Sequence, residues 1–192
     1  ILLSSIGYKK IKTNEYGISV HWAGVDYDNS MGFFRRILAF LDFAFKSALK
    51  AASLDSDLIL ASSTPLTICL PAIFASKMRR VPMVFEVRDL WPDVPIAMGA
   101  INSPFMRAAA YSLEGLAYRN SSAIIALSPG MKEGVASRGY PRERVAVIPN
   151  GSDRDHFTVP PRAIAAFRNT RPWLGSRPIL LYAGAFGKVN GL

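Results

Sequence analysis

A chain of 192 residues that is 50% apolar and 19% charged, with a positive mean hydropathy, carries enough apolar surface for a folded core and is not a disordered chain. Its net charge of +9 arises from seven basic against five acidic residues over positions 1–56 and sixteen against nine over 57–192. Outside Lys9, Lys10, Lys12 and the pairs Arg35–Arg36 and Arg79–Arg80 the excess is spread, which argues against nucleic acid as a partner and fits an anionic membrane surface or a phosphate-bearing ligand.

The single cysteine, Cys69, stands in the apolar run Leu66–Ala75 and so offers neither an intrachain disulfide nor a cysteine zinc site; it reads as a buried thiol. The opening Ile1-Leu2-Leu3-Ser4-Ser5 lacks the basic and long apolar parts of a signal peptide. The most apolar long window, 33–52, contains Arg35, Arg36, Asp42, Lys46 and Lys50, too many charges for an ordinary membrane span.

From Gly17 onward, short β-branched apolar runs alternate with longer helical patterns, the signature of βαβ units on a parallel sheet. Strands are expected at 18–22, 58–62, 83–88, 123–127 and 145–148, nearly all apolar, as strands covered on both faces are. Helices are expected at 33–53, 65–79, 104–118 and 129–138, three of them opening near a proline, which is tolerated in the first turn. The helix at 33–53 carries a polar stripe through Arg35, Asp42, Lys46 and Lys50, and its apolar surface exceeds one sheet-facing stripe. Two readings stand for the excess: burial between neighbours, or a membrane interface. After Pro149-Asn150-Gly151-Ser152-Asp153, which is turn chemistry, come a short helix at 162–168 and a strand at 179–183. That last strand has no sheet of its own, so a second α/β domain is expected to have been cut off, and the amino end, which opens inside an uncapped segment, is expected to be cut as well.

Chemistry concentrates where the strand at 83–88 runs into Arg88-Asp89-Leu90-Trp91-Pro92, at the carboxyl end where open parallel sheets place their ligands. Alternation puts Glu86 and Arg88 on one face, with Asp89 in the turn and facing a cleft. The competing reading is a structural Glu86–Arg88 ion pair with Asp89 capping a turn. Two further strands end in hydroxyls followed by proline, Thr64-Pro65 and Ser128-Pro129. Each hydroxyl would sit at a helix N-cap, beside backbone N–H groups suited to an anion, or would simply cap. The loop Gly184-Ala185-Phe186-Gly187-Lys188-Val189-Asn190-Gly191 follows a strand and combines glycines with a lysine, as contacts to a diphosphate require, without the spacing of a P-loop. His21 and His156 pair with no metal-ligand pattern and read as structural, so no metal is expected.

Taken in order, Ser62-Ser63-Thr64-Pro65-Leu66-Thr67, Phe85-Glu86-Val87-Arg88-Asp89-Leu90-Trp91-Pro92, Leu127-Ser128-Pro129-Gly130-Met131 and Ile148-Pro149-Asn150-Gly151-Ser152-Asp153 with Phe157 resemble glycosyltransferase family 4. The likeness is closer to the bacterial WbuB-like or colanic-acid-type branch, which adds amino- or deoxysugars in O-antigen and capsule synthesis. It runs from about Gly17 to Leu192. The resemblance implies the GT-B architecture, an α/β fold of two Rossmann-like domains of parallel sheet with helices on both faces; this chain would be the amino-terminal domain, 1–157, with its first strand missing, plus the linker and first strand of the second, 158–192. It implies a retaining transfer from a nucleotide sugar to a lipid-linked glycan acceptor at the cytoplasmic face of the inner membrane, with no cofactor and no metal.

On that resemblance Asp89 and Arg88 line the reaction cleft, with Asp89 orienting the acceptor hydroxyl, and Thr64, Glu86 and Trp91 lie on the substrate side. Gly184, Gly187, Lys188, Asn190 and Ser128 would hold the donor's diphosphate, while Asn150 and Asp153 anchor the crossover between domains. Two departures stand out. Arg88 occupies the strand end where many relatives carry histidine, and Ala185 and Asn190 stand where the diphosphate loop usually has arginine and lysine. Two rivals remain at this stage: a sugar-nucleotide 2-epimerase on the same frame, and a basic non-enzymatic module for anionic lipid.

Overall fold

The computed structural model describes residues 2–4, 11–28, 31–63, 65–99 and 101–184. The chain divides into two compact units, 1–149 and 150–192. The first opens with three strands, β1 (Leu2–Ser4), β2 (Ile11–Glu15) and β3 (Ile18–Trp22), in the order β1-β3-β2. β3 runs parallel to β1 and antiparallel to β2. The expectation that 18–22 belongs to the parallel sheet is thereby corrected, since it centres a separate mixed one. Tyr16 and Gly17, at φ of 52° and 84°, form the two-residue hairpin turn whose twist suits paired strands, and Asn14 Oδ1 accepts from the Gly17 N–H at 3.1 Å. β1 and β2 were not expected: β2 reads Ile-Lys-Thr-Asn-Glu, without the apolar alternation by which strands are recognised.

The second sheet is fully parallel, in the order β4-β5-β6-β7, with β4 at Ile59–Ser62, β5 at Met83–Val87, β6 at Ala123–Ala126 and β7 at Val145–Val147. The intervening helices are α2 (Cys69–Arg79), after a 3-10 turn at Leu66–Ile68, then α3 (Asp93–Ala97), α4 (Pro104–Arg119) and α5 (Pro129–Ser137); α1 (Phe33–Ala52) precedes β4. The short α3 was not anticipated. Each expected strand and helix of this unit has its counterpart here, with ends differing by one or two residues except that α2 begins four residues late, behind the 3-10 turn.

One face of each strand packs under the helices. Ala61, Met83, Phe85, Val87, Ile124, Ala126 and Val145 form the core with Cys69 and Ile73 of α2, Ala117 and Tyr118 of α4 and Val135 of α5. Phe85 meets Tyr118 edge-on at 6.4 Å between centroids, and Tyr118 meets Tyr140 at 6.3 Å, an arrangement aromatic quadrupoles favour. The alternate residues Val84, Glu86 and Ile125 are only half-buried and Leu60 is exposed. A carboxylate therefore persists within β5 because it stands on the less covered face.

The chain leaves α2 through Arg80 at φ 58°, a left-handed conformation that costs a residue with a side chain. The Val81 N–H donates to the Ser76 carbonyl at 3.1 Å, and Ser76 Oγ donates to the Val81 carbonyl at 2.6 Å; these two bonds hold the turn.

In the second unit Asp153 caps a 3-10 turn at Arg154–Phe157, accepting from the Asp155 N–H at 3.1 Å. α6 (Pro161–Asn169) follows, and Arg168 donates to the carbonyls of Gly175 and Arg177 at 2.5 and 3.0 Å. Residues 179–183 are irregular rather than a strand. Leu180 is fully exposed, and among the described residues no strand pairs with this segment; extended chain becomes a stable strand only by pairing.

Cys69 is wholly buried, and that burial pushes its thiol up to about 12. Because only the thiolate attacks disulfide reagents, a chromogenic disulfide at about pH 8 is expected to leave the native chain unmodified and to titrate one thiol once denaturant is added. Rapid reaction of the native chain would contradict this packing.

Candidate functional site

At the carboxyl edge of the parallel sheet the strands end level. Ser62 lies opposite Glu86, Glu86 opposite Ile125, and Ala126 opposite Val147. The segments that leave this edge, from Ser63, Arg88, Leu127 and Ile148, therefore emerge side by side. Ser63 is buried, and its hydrogen bonds join two of them: its N–H donates to the Glu86 carbonyl at 2.8 Å, and its Oγ accepts from the Arg88 N–H at 2.9 Å. With the backbone held at both sides, Arg88 and Asp89 turn outward and are exposed.

The loop then folds back. The Trp91 N–H donates to the Asp89 carbonyl at 2.9 Å, Pro92 is fully buried after a cis Trp91–Pro92 bond, and Leu90 and Trp91 pack against the core. Leu90 lies so close to α5 that a Cβ on Gly134 would sit 2.8 Å from its Cδ1 and 3.0 Å from its Cδ2. Glycine at 134 is thus what lets the loop approach the helix. At the start of α5, Ser128 Oγ accepts from the Met131 N–H at 3.2 Å, an N-cap that leaves the hydroxyl's own hydrogen able to donate outward.

Behind the loop lies a polar network that joins α3, α4 and the end of α5. Arg138 Nη2 donates to both carboxylate oxygens of Asp93 at 2.6 and 2.7 Å, and Tyr111 Oη donates to Asp93 Oδ1 at 2.7 Å. The guanidinium carbon stands 4.7 Å from the Tyr111 ring centroid, a favourable cation–π placement, and Nε is 3.5 Å from Glu114 Oε2. Glu114 is 4% exposed. Burial raises its pKa, against the lowering effects of its hydrogen bond with Tyr118 and of the Arg138 charge. Asp93 directly follows Pro92, so the network fixes the base of the loop that presents Arg88 and Asp89.

Residues 11–151, well over half of the chain, match the family of glycosyl transferase 4-like domains. The chain belongs to this family. Among solved structures it is similar to that of Anabaena Alr3699/HepE in complex with UDP-glucose, at 23% identity and a TM-score of 0.51, over 70% of this chain and 33% of that one. It is similar also to the same Anabaena protein in complex with UDP and glucose, at 22% identity and a TM-score of 0.53, over 83% of this chain and 43% of that one. At such identities the likeness is one of fold, the Rossmann-like α/β fold of a GT-B domain. The chain spans less than half the length of these structures. No curated protein matches it.

In this glycosyl transferase 4-like domain the structure places Arg88, Asp89 and Ser128 on one sheet edge, with Glu86 half-buried one register step inside it and Trp91 folded back against the core. No ion pair joins Glu86 to Arg88, so the structural-pair reading of those two side chains falls away. Thr64, Gly187, Lys188 and Asn190 lie outside the described residues; Gly184 is exposed in the second unit. Among the described residues no cluster of three metal-ligating side chains occurs. Ser63 and the Asp93–Arg138–Glu114 network escaped the sequence reading. Tyr111, Glu114 and Tyr118, at helical spacing on one face of α4, were the signal for the network.

Two outcomes follow. Gly134→Val is expected to push Leu90 off α5 and lower stability by about 1–3 kcal/mol, read from urea unfolding; unchanged stability would contradict the close approach. For Glu114 the raised folded pKa means that its contribution is fully present below the ordinary carboxylate value of 4.5 and is lost as pH rises through the folded one. The stability of Glu114→Gln relative to the parent chain is therefore expected to increase between about pH 4 and pH 7. A pH-independent difference would show that the carboxyl is not raised.

Proposed function

We propose that this domain is the acceptor-side half of a retaining glycosyltransferase that moves a sugar from a nucleotide-sugar donor to a lipid-linked glycan acceptor in bacterial surface-polysaccharide synthesis, at the cytoplasmic face of the inner membrane. The observation that carries the reading is the pairing of family membership with an exposed Arg88–Asp89 at the carboxyl edge of a parallel sheet, on a loop held from beneath. The UDP-glucose bound in the similar Anabaena structure supports a nucleotide sugar as donor.

In this reading Asp89 accepts a hydrogen bond from the acceptor hydroxyl and aims its oxygen at the anomeric carbon as the bond to the diphosphate breaks. Arg88 adds positive charge near the departing group, and the Ser128 hydroxyl with the amino end of α5 favours negative charge beside it. Thr64, Glu86 and Trp91 complete the substrate side. The glycine-rich segment holding Gly184, Gly187, Lys188 and Asn190 takes the diphosphate. No bound metal or cofactor is invoked, and the WbuB-like branch is the proposed subgroup.

Saturation-transfer NMR of a protein carrying this chain with a complete second domain, against UDP-, GDP- and dTDP-sugars, is expected to show binding of one donor class. Binding of none by the folded protein would overturn the transferase reading. In that protein Asp89→Asn is expected to lower kcat by about 100-fold, well beyond its effect on stability read from the melting temperature; full turnover would remove it from the site. The isolated 192-residue chain is expected to transfer no sugar.

A further inference from the structure

α1 and α2 pack against each other, yet each leaves an apolar ridge uncovered. On α1 the ridge runs through Leu38, Leu41, Phe45 and Leu49, spaced three and four residues apart; Leu38 is 65% and Phe45 66% exposed. On α2 it runs through Phe74 and Met78, 43% and 63% exposed. Isolated apolar residues are ordinary on a protein surface, but ridges at helical spacing on two touching helices mark a contact surface.

The charges around the ridges select the contact. α1 carries Arg35, Arg36, Lys46 and Lys50 against a single carboxylate, Asp42, which Lys46 neutralises at 2.6 Å. α2 carries Lys77 and Arg79 and no carboxylate of its own, and Arg79 is paired with Asp55 from the segment after α1, which leaves Lys77 beside the ridge. A long apolar ridge bordered by cations complements the headgroup and upper acyl region of an anionic bilayer. No helix among the described residues is long and apolar enough to cross one, so the contact is made lying in the surface.

We infer that the joined α1–α2 face seats this domain on an anionic membrane, with Leu38, Phe45, Phe74 and Met78 entering the interface and Arg35 and Lys50 meeting phosphate headgroups. The inference rests on the membrane-side role proposed above and names the surface that performs it.

The test is co-sedimentation of the 192-residue chain with vesicles of phosphatidylglycerol and phosphatidylcholine, and with phosphatidylcholine alone. The chain is expected to pellet with the anionic vesicles, and Leu38→Ser with Phe45→Ser is expected to lower the partition coefficient at least about tenfold with an unchanged unfolding curve. Arg35→Gln is expected to weaken binding to anionic vesicles in a salt-dependent way. A parent chain that stays in the supernatant overturns the inference, as does a double-serine variant that binds undiminished. Dimerisation abolished by the same two serines also overturns it, because the face would then join two copies of the chain. Vesicle binding by a complete protein that binds no nucleotide sugar would leave this surface standing and remove the transferase reading; donor binding without vesicle binding would do the reverse.

Discussion

The arrangement of this domain follows from the burial of β5. Met83, Phe85 and Val87 are essentially inaccessible to water, and a strand flanked by two hydrogen-bonded neighbours offers no place for an ionised group on its helix-covered face. Charge therefore collects where the strand stops. Arg88 and Asp89 follow immediately and are exposed, and the one charge inside the strand, Glu86, takes the face that the helices leave less covered. Core formation and presentation of chemistry are two results of the same alternation.

A loop that carries exposed charges needs restraint, since no apolar burial holds its tip. Restraint is supplied on three sides. Ser63 ties the backbone to the neighbouring strand end, Leu90 closes on the gap left by Gly134, and Asp93 is gripped by Arg138 and Tyr111. The last grip extends to a buried carboxylate, Glu114, 3.5 Å from Arg138 Nε, whose desolvation opposes its ionisation. A polar network of this kind contributes definition of position more than net stability, which is what the role proposed for this loop requires.

The parallel sheet and its helices were legible because buried strands and amphipathic helices leave unmistakable periods: the apolar run Met83–Val87 and the stripe along 33–52 suffice. Arg88, Asp89 and Ser128 were legible as a group because topology alone brings strand ends together. Other features left no local trace. β2, with Lys12, Thr13, Asn14 and Glu15, is a strand by virtue of pairing with β3 rather than of composition. Ser63 differs from its exposed neighbour Ser62 only in its side of the chain, and the contact of Arg138 with Asp93 joins residues 45 positions apart. For residues 179–183 the apolar composition announced a strand, but composition supplies no partner.

The strand order β4-β5-β6-β7 repeats the order of the chain. Every strand joins beside its immediate predecessor, through Ile59 with Met83, Val84 with Ala123 and Ile124 with Val145, and none must be inserted between two already paired. Each closure spans one crossover and no intervening strand, so its entropic cost is set by that crossover alone. A nascent chain emerging amino end first can thus extend this sheet one strand at a time, each new helix covering the strand just laid, so that the edge bearing Arg88 and Asp89 is assembled from β4 outward in the order of synthesis.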